Sequence, residues 1–437
     1  MKQLTFAYNK ALVNESIIQE VAQQLIPEIE CIKNAHAKKY DSAYAALWAA
    51  QDEGLRNNVK SVAVSKLALQ PAALVIIGIG GSNLGTRAVD EALFGSGILR
   101  NNVLPVYYAD TVDPDLIGPM LCAIEELLKN KKSVLINVIS KSGTTTETIA
   151  NFELFLQLLK KYRPNDYQKY VVVATDLNSP LWQFADEQGF ASLAIPKSFG
   201  GRFSVLSAVG LFPLAMLGVS VDDIHAGASA ATEHCLQVSD SNYAVISSAI
   251  IFALYKKGYF IHNFFPFSVD LYGLGLWYRQ LMAESLGKEY DRAGKCIQTG
   301  ITPTVSVGST DLHSIVELHL GGPNNTLTTF VEVENVQNKV FLPDDKRFDK
   351  IVAHLQGKSL SSLMNAMLTG TERAYSVQKR PFMHIAFPEK SAWYLGWFMQ
   401  WKMIETIFLG NLFGINPFVQ PNVELYKKET RAILSNE

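Results

Sequence analysis

The 437-residue chain is poor in cysteine and has no excess of charge of either sign. Its four cysteines stand at 31, 122, 235 and 296, and no two form a CxxC pair. A disulfide framework is excluded, and the thiols suit a reducing compartment. Lys+Arg (39) and Asp+Glu (41) nearly cancel, for a formal net charge of −2, and no basic block stands out. A nucleic-acid partner calls for a basic stripe, so none is expected. The eight histidines are scattered with no HxH or HExxH spacing, so no metal site is expected. The start, MKQLTFAYNK, has neither an apolar core nor a small-residue cleavage site, which predicts a cytoplasmic protein. Long apolar runs are missing too, with one exception. Residues 203–221, FSVLSAVGLFPLAMLGVSV, carry no charge and just reach the ~18–20 residues that span a bilayer. Three serines, two glycines and Pro213 lie within it, so a buried core helix is expected there and not a membrane span.

What is present is an alternation of strands and helices. Residues 13–58 have apolar residues at helical spacing. From about residue 70 the period changes. The runs ALVIIGIG (73–80), VLPVYYAD (103–110), KSVLINVIS (132–140), KYVVVATD (169–176) and ASLAIP (191–196) are apolar on both faces, with helical stretches between them. Such strands predict a parallel sheet covered on both sides. A second series after about 220 repeats the pattern through GYFIHNFFPF, TPTVSVGS, TTFVEVE and PFMHIAFP. The expected fold is therefore α/β, with two tandem units. An N-terminal helical segment is set at 1–62, a first unit at 63–218, a second at 219–400 and a C-terminal helical segment at 401–437. Trp393, Trp397 and Trp401 lie four apart, as a core or subunit-interface stripe does.

In open α/β sheets, ligands bind outside the carboxyl ends of strands, so the residues after each apolar run carry the information. GIGGSNLG (78–85) follows the first strand. Its glycines admit a ligand close to the backbone, and a helix starts there with free N–H groups. Asn83 stands where a dinucleotide fingerprint needs glycine, and the G-K-[ST] of a P-loop is missing. An anion loop and a plain tight turn both remain open. In VISKSGTTTET (138–148), seven of the eleven residues are Ser, Thr or Lys. A helix cap needs one hydroxyl, and Ser140, Ser142, Thr144 and Thr145 crowd here around Lys141. Many donors with little fixed positive charge, at a helix N-terminus, suit a phosphate monoester. In SFGGRFSVLSAVG (198–210), Arg202 is either a structural ion-pair partner or a fixed charge facing a reacting oxygen. Taken alone, Glu284, with Gln280 one turn earlier, reads first as a solvated helix carboxylate, and His313, in the loop STDLHS, as a plain polar residue; base and acid are the second readings. Gln420 precedes Lys427 by seven residues, and a helix lysine is usually solvated.

Taken together these motifs resemble the glucose-6-phosphate isomerase (phosphoglucose isomerase) family, in its short bacterial form. GIGGSNLG, VISKSGTTTET, GGRFSVLSAVGL, AESLGK, STDLHS and FVQPNVELYK occur in the family's order and span most of the chain. The resemblance implies two tandem sugar isomerase (SIS) domains and a cytoplasmic homodimer with shared active sites, the histidine coming from the other chain. It further implies that Gly81, Ser82, Ser140, Lys141, Ser142 and Thr145 hold the sugar phosphate. Gly201 and Arg202 line the reacting end, and Gln280 and Gln420 lie near the substrate. His313, oriented by Glu147 and helped by Lys427, opens the sugar ring, while Glu284 moves a proton between C1 and C2. Arg202 stabilises the enediolate. Neither cofactor nor metal enters. The chain departs from the family at Ser142, often threonine, and at Pro421-Asn422, a tryptophan-glycine pair in longer members. It departs again at Ser285-Leu286, where an asparagine follows the glutamate in longer members, and this last change bears on the glutamate's surroundings. Two other readings are a glucose/mannose 6-phosphate isomerase and a non-catalytic SIS sensor of sugar phosphates. A sensor need not keep Glu284, His313 and Lys427 together.

Overall fold

The computed structural model describes residues 4–95 and 104–435; residue 103, at the edge of one expected strand, lies outside them. In the first half, β1 (Thr5–Ala7), α1 (Glu15–Ala35) and α2 (Glu53–Leu67) precede β2 (Ala73–Ile77), α3 (Leu84–Phe94), β3 (Val106–Ala109) and α4 (Pro114–Lys129). Then come β4 (Val134–Ile139), α5 (Thr146–Tyr162), β5 (Val171–Thr175), α6 (Pro180–Gln188), β6 (Ala191–Ala194) and α7 (Ala208–Met216). The second half runs α8 (Val221–Cys235), α9 (Tyr243–Tyr255), β7 (Ile261–Pro266), α10 (Tyr272–Leu286), β8 (Lys288–Tyr290), β9 (Cys296–Thr299) and β10 (Thr302–Val305). It ends with α11 (Val316–Gly321), β11 (Thr326–Val333), α12 (Leu360–Val377), β12 (Phe382–Phe387), α13 (Ala392–Leu412) and α14 (Val423–Leu434).

The first sheet is parallel throughout, in the order β3-β2-β4-β5-β6. Alternate residues of a strand face opposite sides. In β2, Leu74 and Ile76 accordingly join the main core, while Ala73, Val75 and Ile77 join a separate cluster under α4 and α5. Both faces are dry, which is why the run shows no polar alternation. The second sheet has the order β1-β12-β11-β7-β10, parallel except for β1 on its edge. The main core is shared by the two sheets, with Leu74 and Leu135 of the first and Phe264 and Val331 of the second in one cluster.

The uncharged stretch 203–221 is core. Of α7 only Ala215 is not fully buried, and no helix among the described residues is long and apolar enough to cross a membrane. Trp401 is fully buried and packs edge-on against Phe6, with Trp397 beside it at 5.6 Å, so the tryptophan stripe lies against the core. The helical period read over 13–58 is broken after α1. Lys39 turns the chain at φ +47°, and residues Ala45–Gln51 form a 3-10 helix before α2.

α10, which carries Glu284, is pinned from behind. Tyr278 donates to Glu405 Oε1 at 2.6 Å, and Lys402 Nζ lies 2.7 Å from Glu405 Oε2, with both charged side chains fully buried. A buried pair of this kind holds its place because loss of either partner strands the other.

On the second sheet His384 sits between Glu332 of β11 and Glu372 of α12, at 3.3 and 2.6 Å. Burial alone lowers its pKa, but the two carboxylates outweigh burial and raise it to about 9. A raised folded-state value means that the imidazolium stabilises the fold fully below about pH 6.5, and that this contribution is lost as pH rises through about 9. At about 1.4 kcal/mol per unit the contribution is at most on the order of 3 kcal/mol. The thermal midpoint of His384→Gln should therefore lie well below wild type at pH 6 and converge on it by pH 9.5. A gap that does not change with pH would exclude the ion pairs as its source.

Candidate active site

Three loops meet at the carboxyl ends of the first sheet's strands. After β2, Gly80 takes φ +57° and Gly81 lies directly against Gly201. A Cβ on Gly81 would stand 2.2 Å from the Gly201 carbonyl carbon and 2.6 Å from the Arg202 nitrogen, so the two loops touch backbone to backbone. Any side chain at 81 separates them. Asn83 leaves α3 uncapped and instead donates to Asp110 at 2.9 Å.

After β4, Ser140 is buried and its hydroxyl lies 2.9 Å from that of Thr145. Thr145 occupies the N-cap position of α5, yet its side chain does not cap the helix. The simple capping explanation of the hydroxyl cluster therefore fails at this residue. The Thr144 N–H donates to Ser142 Oγ at 3.3 Å, and Gly143 turns the loop at φ +69°. Hydroxyls, an uncapped helix N-terminus and a sharp turn are the groups that an anion cradle requires. Lys141 adds a half-buried ammonium, which burial pushes down and Asp176 pulls back up. A cavity of about 380 Å³ lies alongside, lined by Lys141, Ser142, Asp176, Asn178, Ser179 and Lys197. Lys197 was not singled out from the sequence, although it stands five residues before Arg202.

The third loop delivers Arg202, whose side chain is 1% exposed. Its Nε donates to Ser285 Oγ at 2.7 Å, one terminal nitrogen to Glu284 Oε2 at 3.0 Å and to Gln420 Oε1, and the other to the Pro417 carbonyl at 2.5 Å. Burial pushes the guanidinium's pKa down and Glu284 pulls it up, but the group stays charged. Gln280 Nε2 donates to the other Glu284 oxygen at 2.9 Å. Arg202, Gln280, Glu284 and Gln420 are thus brought together, from three separate stretches of chain. Glu284 remains 30% exposed. It opens onto a cavity of about 260 Å³ shared with Lys288, Gln420 and Asn422. Ser285, read from sequence only as a departure, is a direct partner of the arginine.

His313 and Lys427 are placed differently. His313 is exposed, at the end of a 3-10 turn (Thr310–Leu312) that Asp311 braces by accepting from Val307 N and Ser314 Oγ. Lys427 lies on α14 and pairs with Glu424 at 2.7 Å. Among the described residues neither hydrogen-bonds to the Arg202–Glu284 cluster, and His313 makes no hydrogen bond to Glu147.

A model of the phosphoglucose isomerase family matches residues 58–437. The glucose-6-phosphate isomerase of Carboxydothermus hydrogenoformans is 35% identical over 373 residues, covering 83% of this chain and 79% of that protein. That of Thermus thermophilus is 36% identical over 362 residues, covering 83% of each. Among solved structures, a hypothetical protein from Thermus thermophilus superposes with a TM-score of 0.85 at 33% identity, over 99% of this chain and 100% of that one. A glucose-6-phosphate isomerase from Chlamydia trachomatis superposes with a TM-score of 0.81 at 23% identity, over 99% of this chain and 88% of that one, and speaks for the fold alone. The class is therefore an α/β protein with two mainly parallel sheets flanked by helices. Within that class, the chain belongs to the phosphoglucose isomerase family.

Proposed function

We propose that the chain interconverts D-glucose 6-phosphate and D-fructose 6-phosphate, with the buried Arg202–Glu284 pair at its chemical centre. The observation that carries the chemistry is a carboxylate held by a permanently charged guanidinium at 3.0 Å while remaining open to a cavity. Moving an aldose to a ketose requires a base that takes the C2 proton and returns it to C1. One carboxylate serves both carbons because they are adjacent. The electrons left behind delocalise onto the sugar oxygens as an enediolate, and Arg202 supplies the fixed positive charge that stabilises it. The rearrangement leaves the sugar's overall oxidation state unchanged, so it needs no redox cofactor. The hydroxyl loop 140–145 with Gly81 and Ser82 takes the phosphate, whose binding energy fixes the reacting carbons against Glu284.

His313 and Lys427 are assigned to ring opening and to the proton exchange between O1 and O2. The exposure of His313 and the lack of any buried residue on α14 both favour completion of the site by a second copy of the chain. Leu425, Tyr426 and Ile433 stand exposed on that helix, as an unpaired subunit surface does. The unpaired thiols suit a cytoplasmic enzyme. The basic test is a coupled assay from fructose 6-phosphate through glucose-6-phosphate dehydrogenase, with mannose 6-phosphate as a second substrate. The shared site has a sharper one. Mixed and refolded together, Glu284→Gln and His313→Gln should recover up to roughly a quarter of wild-type activity, because half the mixed dimers' sites are intact. Failure to complement between two folded dimeric variants would place the histidine in the same chain's site.

A further inference from the structure

We infer that Lys288, which no step above uses, is a positioning residue for this reaction: its ammonium ties down the last turn of α10 and holds a positive charge behind Glu284. This rests on Glu284 being the base. A helix leaves its last carbonyls without partners. Here Lys288 Nζ donates to three main-chain oxygens, those of Glu284, Ser285 and Gly287, at 2.7, 2.9 and 3.3 Å. An ammonium has three N–H groups, so each finds an acceptor. A cation is also favoured at a helix C-terminus by the dipole. The clamp acts on the same residues that hold the reacting group, since Ser285 accepts from Arg202 and Glu284 carries the carboxylate.

Lys288 is 7% exposed, although lysine is a residue rarely buried without a paired carboxylate. The charged groups around it are Arg202 from the loop after β6, Glu284 from α10, and Glu289 from β8 on the rim of the same cavity. The C-terminal stretch contributes only uncharged residues, Gln420, Pro421, Asn422 and Val423. Burial first, and then Arg202, push the Lys288 ammonium down to about 8, against the pull of Glu284. Above that pH the neutral amine keeps two donors for three carbonyls, and the charge behind the developing enediolate is gone. The linkage sign separates this from unfolding. A lysine whose folded value lies near 8 and whose unfolded value lies near 10.5 binds fewer protons when folded. Its own contribution to stability therefore rises between those values. Activity should fall where this group makes the fold no weaker.

The experiment is the kcat–pH profile of the purified enzyme between pH 6.5 and 9.5, with thermal midpoints at each pH. Wild type should show an alkaline limb near pH 8 without a matching fall in the midpoint. In Lys288→Arg, whose guanidinium stays charged, the limb should move out of the range. In Lys288→Met, kcat at pH 7 should fall about tenfold with KM within about twofold, and the profile should be flat. A flat wild-type profile, or a limb that stays near 8 in either folded variant, would overturn the inference. A flat wild-type profile overturns the inference even if both variants fold poorly. Glu284→Gln run in parallel separates the two claims. If it stays active, the base assignment fails; if it is inactive while the limb ignores Lys288, only the role of Lys288 fails.

Discussion

Glu284→Gln should lower kcat by about a thousandfold while KM stays within a few-fold. Glutamine keeps the length and shape of the side chain. Its carbonyl can still accept from Arg202 or from Gln280, which now hold the two carboxylate oxygens at 3.0 and 2.9 Å. The sugar and its phosphate therefore still bind, and what disappears is a group able to take a proton from carbon. Arg202 loses a counter-charge, so a moderate fall in thermal midpoint accompanies the change. Circular dichroism and a substrate-induced rise in the midpoint would show that the variant is folded and binding. Glu284→Asp, one methylene shorter, should retain part of the activity, because the base survives but stands back from the carbons. Near-wild-type turnover in Glu284→Gln would remove the carboxylate from the mechanism.

Arg202→Lys should cost nearly as much in rate and more in stability. The guanidinium reaches four acceptors from three nitrogens: Ser285, Glu284, Gln420 and the Pro417 carbonyl. A lysine brings one nitrogen into the same 1%-exposed space and leaves some of these acceptors without a donor. Each buried acceptor left unpaired costs about 1–3 kcal/mol, so a loss of roughly 2–4 kcal/mol in total is expected. The rate effect follows separately. The ammonium cannot hold Glu284 and Gln420 and also face the enediolate from the same position, and a fall of about a hundredfold or more in kcat is expected. Urea unfolding and steady-state kinetics read the two effects independently. A variant that loses stability but keeps kcat would make Arg202 a structural ion-pair partner only, one of the two readings its sequence left open.

The legible parts of the fold were those with strong local physics. β2, β4 and β5 are runs in which every residue is buried, and a short run rich in Val and Ile between turn residues reads as a strand. α4 carries its own start signal, since Asp113 caps it and Pro114 opens it. β1 is three residues on a sheet edge, and the β8–β9 hairpin is four at most; neither has room for a pattern. The site divides in the same way. The glycine and hydroxyl loops could be found because they follow recognisable strands. Ser285 and Pro417 could not, because their roles exist only through Arg202, 83 and 215 residues away in the chain. Lys288 sat in view inside AESLGK, but nothing local distinguishes a buried lysine from a solvated one. His313 shows the remaining limit, since on the proposed reading it serves a second copy of the chain, and such a residue has no signature within the first.

The most direct test of Glu284 as the base is isomerisation of fructose 6-phosphate in D2O, with the glucose 6-phosphate formed examined by NMR for deuterium at C2. A carboxylate that carries the proton between C1 and C2 exchanges part of it with solvent during the life of the enediolate. Measurable deuterium at C2 is therefore expected in wild type, and neither product nor label in Glu284→Gln. Full turnover with no solvent deuterium at C2 would mean that hydrogen moves directly between the carbons, and would contradict Glu284 as the base.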